Sequence, residues 1–201
     1  MLWERYSNAF ETKSLTPEDG IDPECDTIVG PLVTDTWNQY SPYNENLNYE
    51  WHTVIHASTD TLYTDSAYLL PVVGGLPLSI ARIMHFWSFP SSYPWSSMSN
   101  TSADSYNKSL LTTVHNSAKS YASSHGYSFN YLSYILDNTG YSDLSTNVSI
   151  SFPIDTYLKS SLGFTSATTI NYSLSDRYII RREIFDNSRP VILTGKYSNN
   201  S

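Results

Sequence analysis

With 201 residues, 40% of them hydrophobic, the chain is long enough for one domain of moderate size with a real core. Eleven Lys and Arg against nineteen Asp and Glu leave a formal net charge of −8. No basic stripe is therefore on hand to displace counterions from a nucleic acid or to hold an anionic bilayer. No run of about 18 apolar residues occurs, so no membrane-spanning helix is expected.

Residues 1–28 are polar and broken by Pro17, Gly20 and Pro23, and read as an irregular lead-in segment ahead of a domain over 29–201. Met1-Leu2-Trp3-Glu4-Arg5 lacks the basic-then-apolar pattern of a signal peptide, so any export signal is expected outside this sequence. Pro31-Leu32-Val33 suggests a short strand or turn, and Ser41-Pro42-Tyr43-Asn44 a turn. Residues 45–70 lack a clear period and read as a loop with room for a hairpin. Leu76, Ile80, Ile83, Met84 and Trp87 then recur at helical spacing, with Pro77 in the first turn and Pro90 as a stop. A second helix is expected over 105–123, a third over 130–138 ending near Gly140, and a fourth over 154–162 stopped by Gly163. Ser175 opens a fifth running to Phe185. Strands are expected over 147–152, 166–172 and 189–195. Helices early and strands late suggest an α+β fold rather than an alternating α/β one.

The aromatic content is high, at 17 Tyr, 7 Phe and 5 Trp. Such rings suit a half-wet cleft, and equally a core edge. Trp37, Trp51, Trp87 and Trp95 are candidate contacts for a peptide or protein, though core packing explains each as well. The single cysteine, Cys25, cannot form an internal disulfide. Glu24 and Asp26 beside it disfavour the thiolate, so it reads as structural or incidental.

Three blocks resemble the streptopain-like (C10) family of bacterial papain-fold cysteine peptidases. The first is Val29-Gly30-Pro31-Leu32-Val33, then Trp37-Asn38-Gln39 and Pro42-Tyr43-Asn44. The second is Gly74-Gly75 followed by Ala81-Arg82-Ile83-Met84-His85-Phe86-Trp87 and Phe89-Pro90, where the family runs from Gly-Cys to Ala-Gln-Ile-Met-Lys-Tyr and Tyr-Pro. The third is Leu158 to Gly163, the helix to Phe185, then Arg189-Pro190-Val191 and Gly195. The resemblance implies a papain-like cysteine peptidase fold, truncated in the C-terminal β half. It also implies secretion or a cell-surface location, no cofactor, and a peptide or protein as substrate or ligand, with a family propeptide or inhibitor as a further partner.

In that family a Cys at the start of a buried helix, polarised by the helix dipole and a His, attacks the scissile carbonyl. Here the ungapped alignment puts Gly75 at the nucleophile, and neither Gly74 nor Leu76 can replace it. Ser79 lies one turn further on and is a poor substitute. The family's His follows the Pro-Val strand, and would fall beyond Ser201. Leu69 stands where many papain-like enzymes carry an oxyanion-hole Gln, and Gln39 is the only nearby Gln. The chain is thus expected to resemble a cysteine endopeptidase without cutting peptide bonds, or else to act as a non-catalytic peptide- or protein-binding module. Gly74, Leu76, Trp37, Asn38 and Gln39 would then line the cleft.

Other constellations are weak. His52 and His56 are four apart, but Thr53, Val54 and Ile55 favour a strand, which separates the rings by about 13 Å and leaves no metal site. Asp60 with Asp65, or Glu45 with Glu50, would be the acids of a glycosidase, yet loop acids of this kind are common. His85 is expected at a surface or cleft edge, and His115 and His125 on the surface. Asn100, Asn107, Asn147 and Asn171 lie in Asn-x-Ser/Thr triplets, which a bacterial origin would leave without meaning.

Overall fold

A computed structural model describes residues 31–57, 62–136, 141–149, 151–170 and 177–194. By its internal contacts the chain divides into Met1–Pro31 and Leu32–Ser201. The expected lead-in segment, Cys25 and Val29-Gly30 lie outside the described residues, as do Gly195 and the tail after it.

In chain order the elements are strands β1 (Glu50–Ala57) and β2 (Leu62–Leu69), helices α1 (Gly75–Trp87) and α2 (Ser105–Ser124), strands β3 (Phe129–Leu136) and β4 (Tyr141–Val148), and helix α3 (Ile154–Leu162). A short helix α4 (Arg177–Arg181) runs into a π turn over Arg182–Asp186. The fold is α+β. Its sheet is mixed, in the order β2-β1-β3-β4: the two outer pairs are antiparallel and the central pair, β1 with β3, is parallel. A parallel pair needs a long crossover, which α1 and α2 supply.

Several sequence expectations are corrected. Residues 129–136 form a strand and not a helix: Tyr131 and Ser133 face inward and are buried while Asn130 points to solvent, the alternation of a half-buried strand. The strand expected over 147–152 ends at Val148, and Phe152 turns into the core. Neither 166–170 nor 189–194 is extended into a sheet, because no described strand lies alongside to pair with them. Strands do not follow the helices either. β1 and β2 precede α1, and no described residue after Val148 is in a strand. The apolar face of α1 is also rotated. Leu78, Ile80, Ala81 and Met84 are its buried residues together with Pro77, while Trp87 is 48% exposed.

The core is built by the helices and the loops beside them, with Phe129 and Val148 of the sheet partly buried against it. Ile80, Leu110, Leu111, Val114, Ala118 and Tyr157 are fully buried in it. Each large apolar side chain so placed contributes about 1.5–3 kcal/mol. α2 begins where Asp104 accepts from the amides of Tyr106 and Asn107 at 2.7 and 2.9 Å and Asn107 Oδ1 accepts from the Asp104 amide at 2.9 Å. This reciprocal cap satisfies donors the helix cannot.

Tyr157 sits edge-on to Phe152 at 5.3 Å, and its hydroxyl donates to the Val114 carbonyl at 3.4 Å. Burial pushes the phenol up to about 12. A bond this long adds little, so Tyr157→Phe should lower stability by no more than about 1 kcal/mol in urea denaturation. A larger loss would show that the hydroxyl is a structural anchor.

Candidate functional site at the start of α1

The segment Pro71-Val72-Val73-Gly74 lies outside any helix or strand and is wholly buried, and it delivers the chain to the surface at Gly75. Three side chains from three different places hold its carbonyls. Asn44 Nδ2 donates to Pro71 at 2.8 Å, Thr146 Oγ1 to Val72 at 2.7 Å, and His115 Nδ1 to Val73 at 2.8 Å. The Val73 amide donates to the Gln39 carbonyl at 2.9 Å. A buried backbone must find partners for its polar groups. Here they come from a turn, an outer strand and a helix, so the position of Gly75 is fixed from several sides.

Gly74 has φ 92° and ψ 145°, and a Cβ there would lie 3.0 Å from Thr146 Cβ. Gly75 differs. It is exposed, and a Cβ on it would meet nothing within 4 Å beyond its immediate chain neighbours. No side chain caps α1 and no acid sits in its first turn. The amides of Gly75 and Leu76 are unpaired within the helix and lie at the positive end of its dipole, while Pro77 has no N–H and the Leu78 amide donates to the Gly74 carbonyl at 3.0 Å. The Leu76 side chain is half-buried beside them.

Gly75, which the resemblance puts at the nucleophile position, has space for a side chain and carries none. Ser79 Oγ donates back to the Gly75 carbonyl at 2.8 Å, so its hydroxyl is already engaged within the helix. The unpaired amides of Gly75 and Leu76 offer donors to a carbonyl or carboxylate oxygen.

Gln39, Gly74, Gly75 and Leu76 are thus brought together. Trp37 is not part of this group: it is 3% exposed, donates its indole N–H to Ser99 at 2.7 Å and stacks 4.6 Å from His85, toward the other end of α1. Asn38 is exposed, its side-chain Oδ1 accepting from the Tyr40 amide at 2.9 Å. Trp95 is half-buried with its indole N–H on Pro90 at 2.8 Å, whereas Trp51 is 67% exposed. His85 is half-buried, between Trp37 and Trp95.

His115, expected at the surface, is 1% exposed. Its place was visible in the spacing Leu111, His115, Ala118, Ala122, which is one apolar face of α2. The Val73 carbonyl can only accept, so Nδ1 carries a proton, and Nε2 lies in hydrogen-bond contact with the Tyr131 hydroxyl at 3.1 Å. Lys119, one turn along α2, lies 5.2 Å from the centre of the Tyr131 ring and pairs with Glu50 at 2.5 Å. His52 is also 1% exposed and stacks on Tyr131 at 5.2 Å, with no hydrogen-bond partner at either ring nitrogen.

His52 and His56 lie on a strand, and His56 stacks on Tyr63 at 4.5 Å, so the two rings engage different aromatic neighbours. Among the described residues no three His, Cys, Asp or Glu gather as metal ligands, and no helix is long and apolar enough to cross a membrane. An open cleft of about 400 Å³ between α2 and α3 is lined by serines with Tyr121 and His125, and includes none of the residues at the start of α1. No family model, curated protein or solved structure matches the chain.

Proposed function

We propose that the chain is a streptopain-like peptidase domain that has lost peptide-bond cleavage. The observation that supports this reading is Gly75. It stands first in a buried helix, exposed, in open space, where the family resemblance puts the nucleophilic Cys. A papain-like arrangement of the two halves, and export from a bacterial cell, belong to the same proposal. Incubation with a casein-type substrate, with and without a thiol-directed inhibitor, should give no thiol-sensitive turnover. Such turnover would overturn the reading.

A second reading, a non-catalytic module that holds a peptide or protein, draws on the fixing of Pro71–Gly74. Four hydrogen bonds to this buried segment fix an uncapped helix start at the surface. Unpaired amides there would take the carbonyl oxygens of an extended peptide. Adding unstructured peptides or a family propeptide should then give a saturable change in tryptophan fluorescence, reported by exposed Trp51 or Trp87. No response to any peptide counts against it.

A further inference from the structure

The outer face of the β1–β2 hairpin carries the most exposed tryptophan among the described residues, and that ring does not stand alone. Trp51 is in register with Tyr68 across the two strands, and Tyr49, just ahead of β1, meets the same tyrosine. Trp51 is 67% exposed, Tyr68 58% and Tyr49 55%. The ring centres of Trp51 and Tyr49 lie 5.5 and 5.8 Å from that of Tyr68, so the three form one continuous strip. Contiguous apolar surface left in water is unfavourable, and a strip of this kind marks a contact site.

Strand alternation separates the strip from every charge in the two strands. Thr53 and Ser66, in register with each other, share its face and are exposed. Glu50 and Asp65, the only charged residues in β1 and β2, alternate to the other face. There Glu50 pairs with Lys119 of α2, and Val54, in register with Asp65, is buried. His52 and His56 fall on that face as well. The strip is therefore neutral, and the side chains beside it offer hydroxyls.

Size and charge narrow the occupant. At these exposures the three rings present roughly 300–450 Å², against about 800 Å² that each partner contributes to a stable protein interface. Nucleic-acid bases also stack on rings, but their phosphates need a positively charged groove. This chain carries −8, with no Lys or Arg in either strand. A small apolar ligand needs a concave pocket to enclose it, whereas a pleated two-stranded face is open. A sugar ring suits such a face. Its C–H side is apolar and weakly positive, so it stacks on the electron-rich face of an aromatic ring, and its rim of neutral hydroxyls bonds to Thr53, Ser66 and water. One sugar covers one ring, so three rings in a row match a chain of linked sugars. We propose that Tyr49, Trp51 and Tyr68 form a binding platform for a neutral oligosaccharide. The platform belongs to the outer face of the sheet and rests on neither reading of the start of α1.

The test is isothermal titration of the full chain with neutral hexasaccharides (cellohexaose, xylohexaose, mannohexaose and hexa-N-acetylchitohexaose), with hexagalacturonate as the anionic counterpart. At least one neutral hexasaccharide should bind at millimolar concentration or below and shift the tryptophan emission. Trp51→Ala and Tyr68→Ala should each weaken that binding about tenfold. Trp87→Ala should leave it unchanged, and all three variants, altered at exposed rings, should keep the wild-type Tm. Raising salt to about 0.5 M should not weaken it, since no charge is involved. Absence of binding by every hexasaccharide, or equal binding by wild type and Trp51→Ala, would overturn the proposal. So would tighter binding of hexagalacturonate. Self-association in sedimentation that Trp51→Ala abolishes would also overturn it, by making the strip a contact between copies of the chain. None of these results touches the casein and peptide experiments, so failure here and failure at the start of α1 are told apart.

Discussion

Gly74→Ala should destabilise the protein by about 2–4 kcal/mol, while Gly75→Ala next to it should be neutral or slightly stabilising. At Gly74 two costs combine. The backbone sits at φ 92° and ψ 145°, a region that side chains enter at a cost of about 1–3 kcal/mol. The added Cβ would also press on Thr146 Cβ at 3.0 Å and on its Cγ2 at 3.2 Å. Thr146 cannot retreat freely, because its hydroxyl holds the Val72 carbonyl at 2.7 Å and losing that bond costs about 1 kcal/mol more. Gly75 has neither problem. It lies within the helix, its Cβ direction is open, and Ala in a helix is favoured over Gly by up to about 1 kcal/mol. Urea denaturation of the two variants decides it, and equal losses at both would refute the distinction. The contrast bears on function. The fold demands glycine at 74 but gives no reason for it at 75, so the missing side chain at the start of α1 is not a packing requirement.

The parts of this site that were legible in the sequence are the local ones. Helix α3 runs over the expected 154–162, and α1 and α2 begin and end within a residue of their expected bounds, because caps and stops are written beside them. Asp104 caps α2, and Gly163 takes the left-handed conformation after α3. β3 was not legible. A short apolar run such as Phe129–Leu136 suits either a helix or a strand, and it is settled by pairing with β1, which lies far away in sequence. The reverse happened at Pro190-Val191-Ile192, where strand-forming residues find no described strand to join. The turn and helix start at Gly74-Gly75 could be read directly. Asn44, Thr146 and His115 could not be read as its anchors, since what selects them is the proximity of three distant segments.

Arg82→Leu should cost about 2–4 kcal/mol, and Asp35→Leu added to it should recover part of that loss. Asp35 is 4% exposed, and Arg82 grips it twice, with Nε on Oδ1 at 2.5 Å and Nη2 on its carbonyl at 2.6 Å. Without the guanidinium the carboxylate stays buried with only His85, 3.6 Å from Oδ2, to balance it. Stranding one member of a buried pair costs about 3–5 kcal/mol. The lower end applies here because the Arg82 side chain is 29% exposed and solvent already screens part of the attraction. Removing the carboxylate as well abolishes the stranded charge, and for that reason the double variant should be the more stable of the two. A double variant weaker than Arg82→Leu would mean that Asp35 has another partner of comparable strength. The pair also acts on the candidate site. Asp35 anchors the segment whose Thr36 amide donates to Asn100 at 2.7 Å and whose Gln39 carbonyl takes the Val73 amide at 2.9 Å. Arg82→Leu should therefore lower hydrogen-exchange protection at Val73 and Gly74 more than at Leu110 in the core. An equal loss at all three would mean global destabilisation alone, with no specific path from Asp35 to the start of α1.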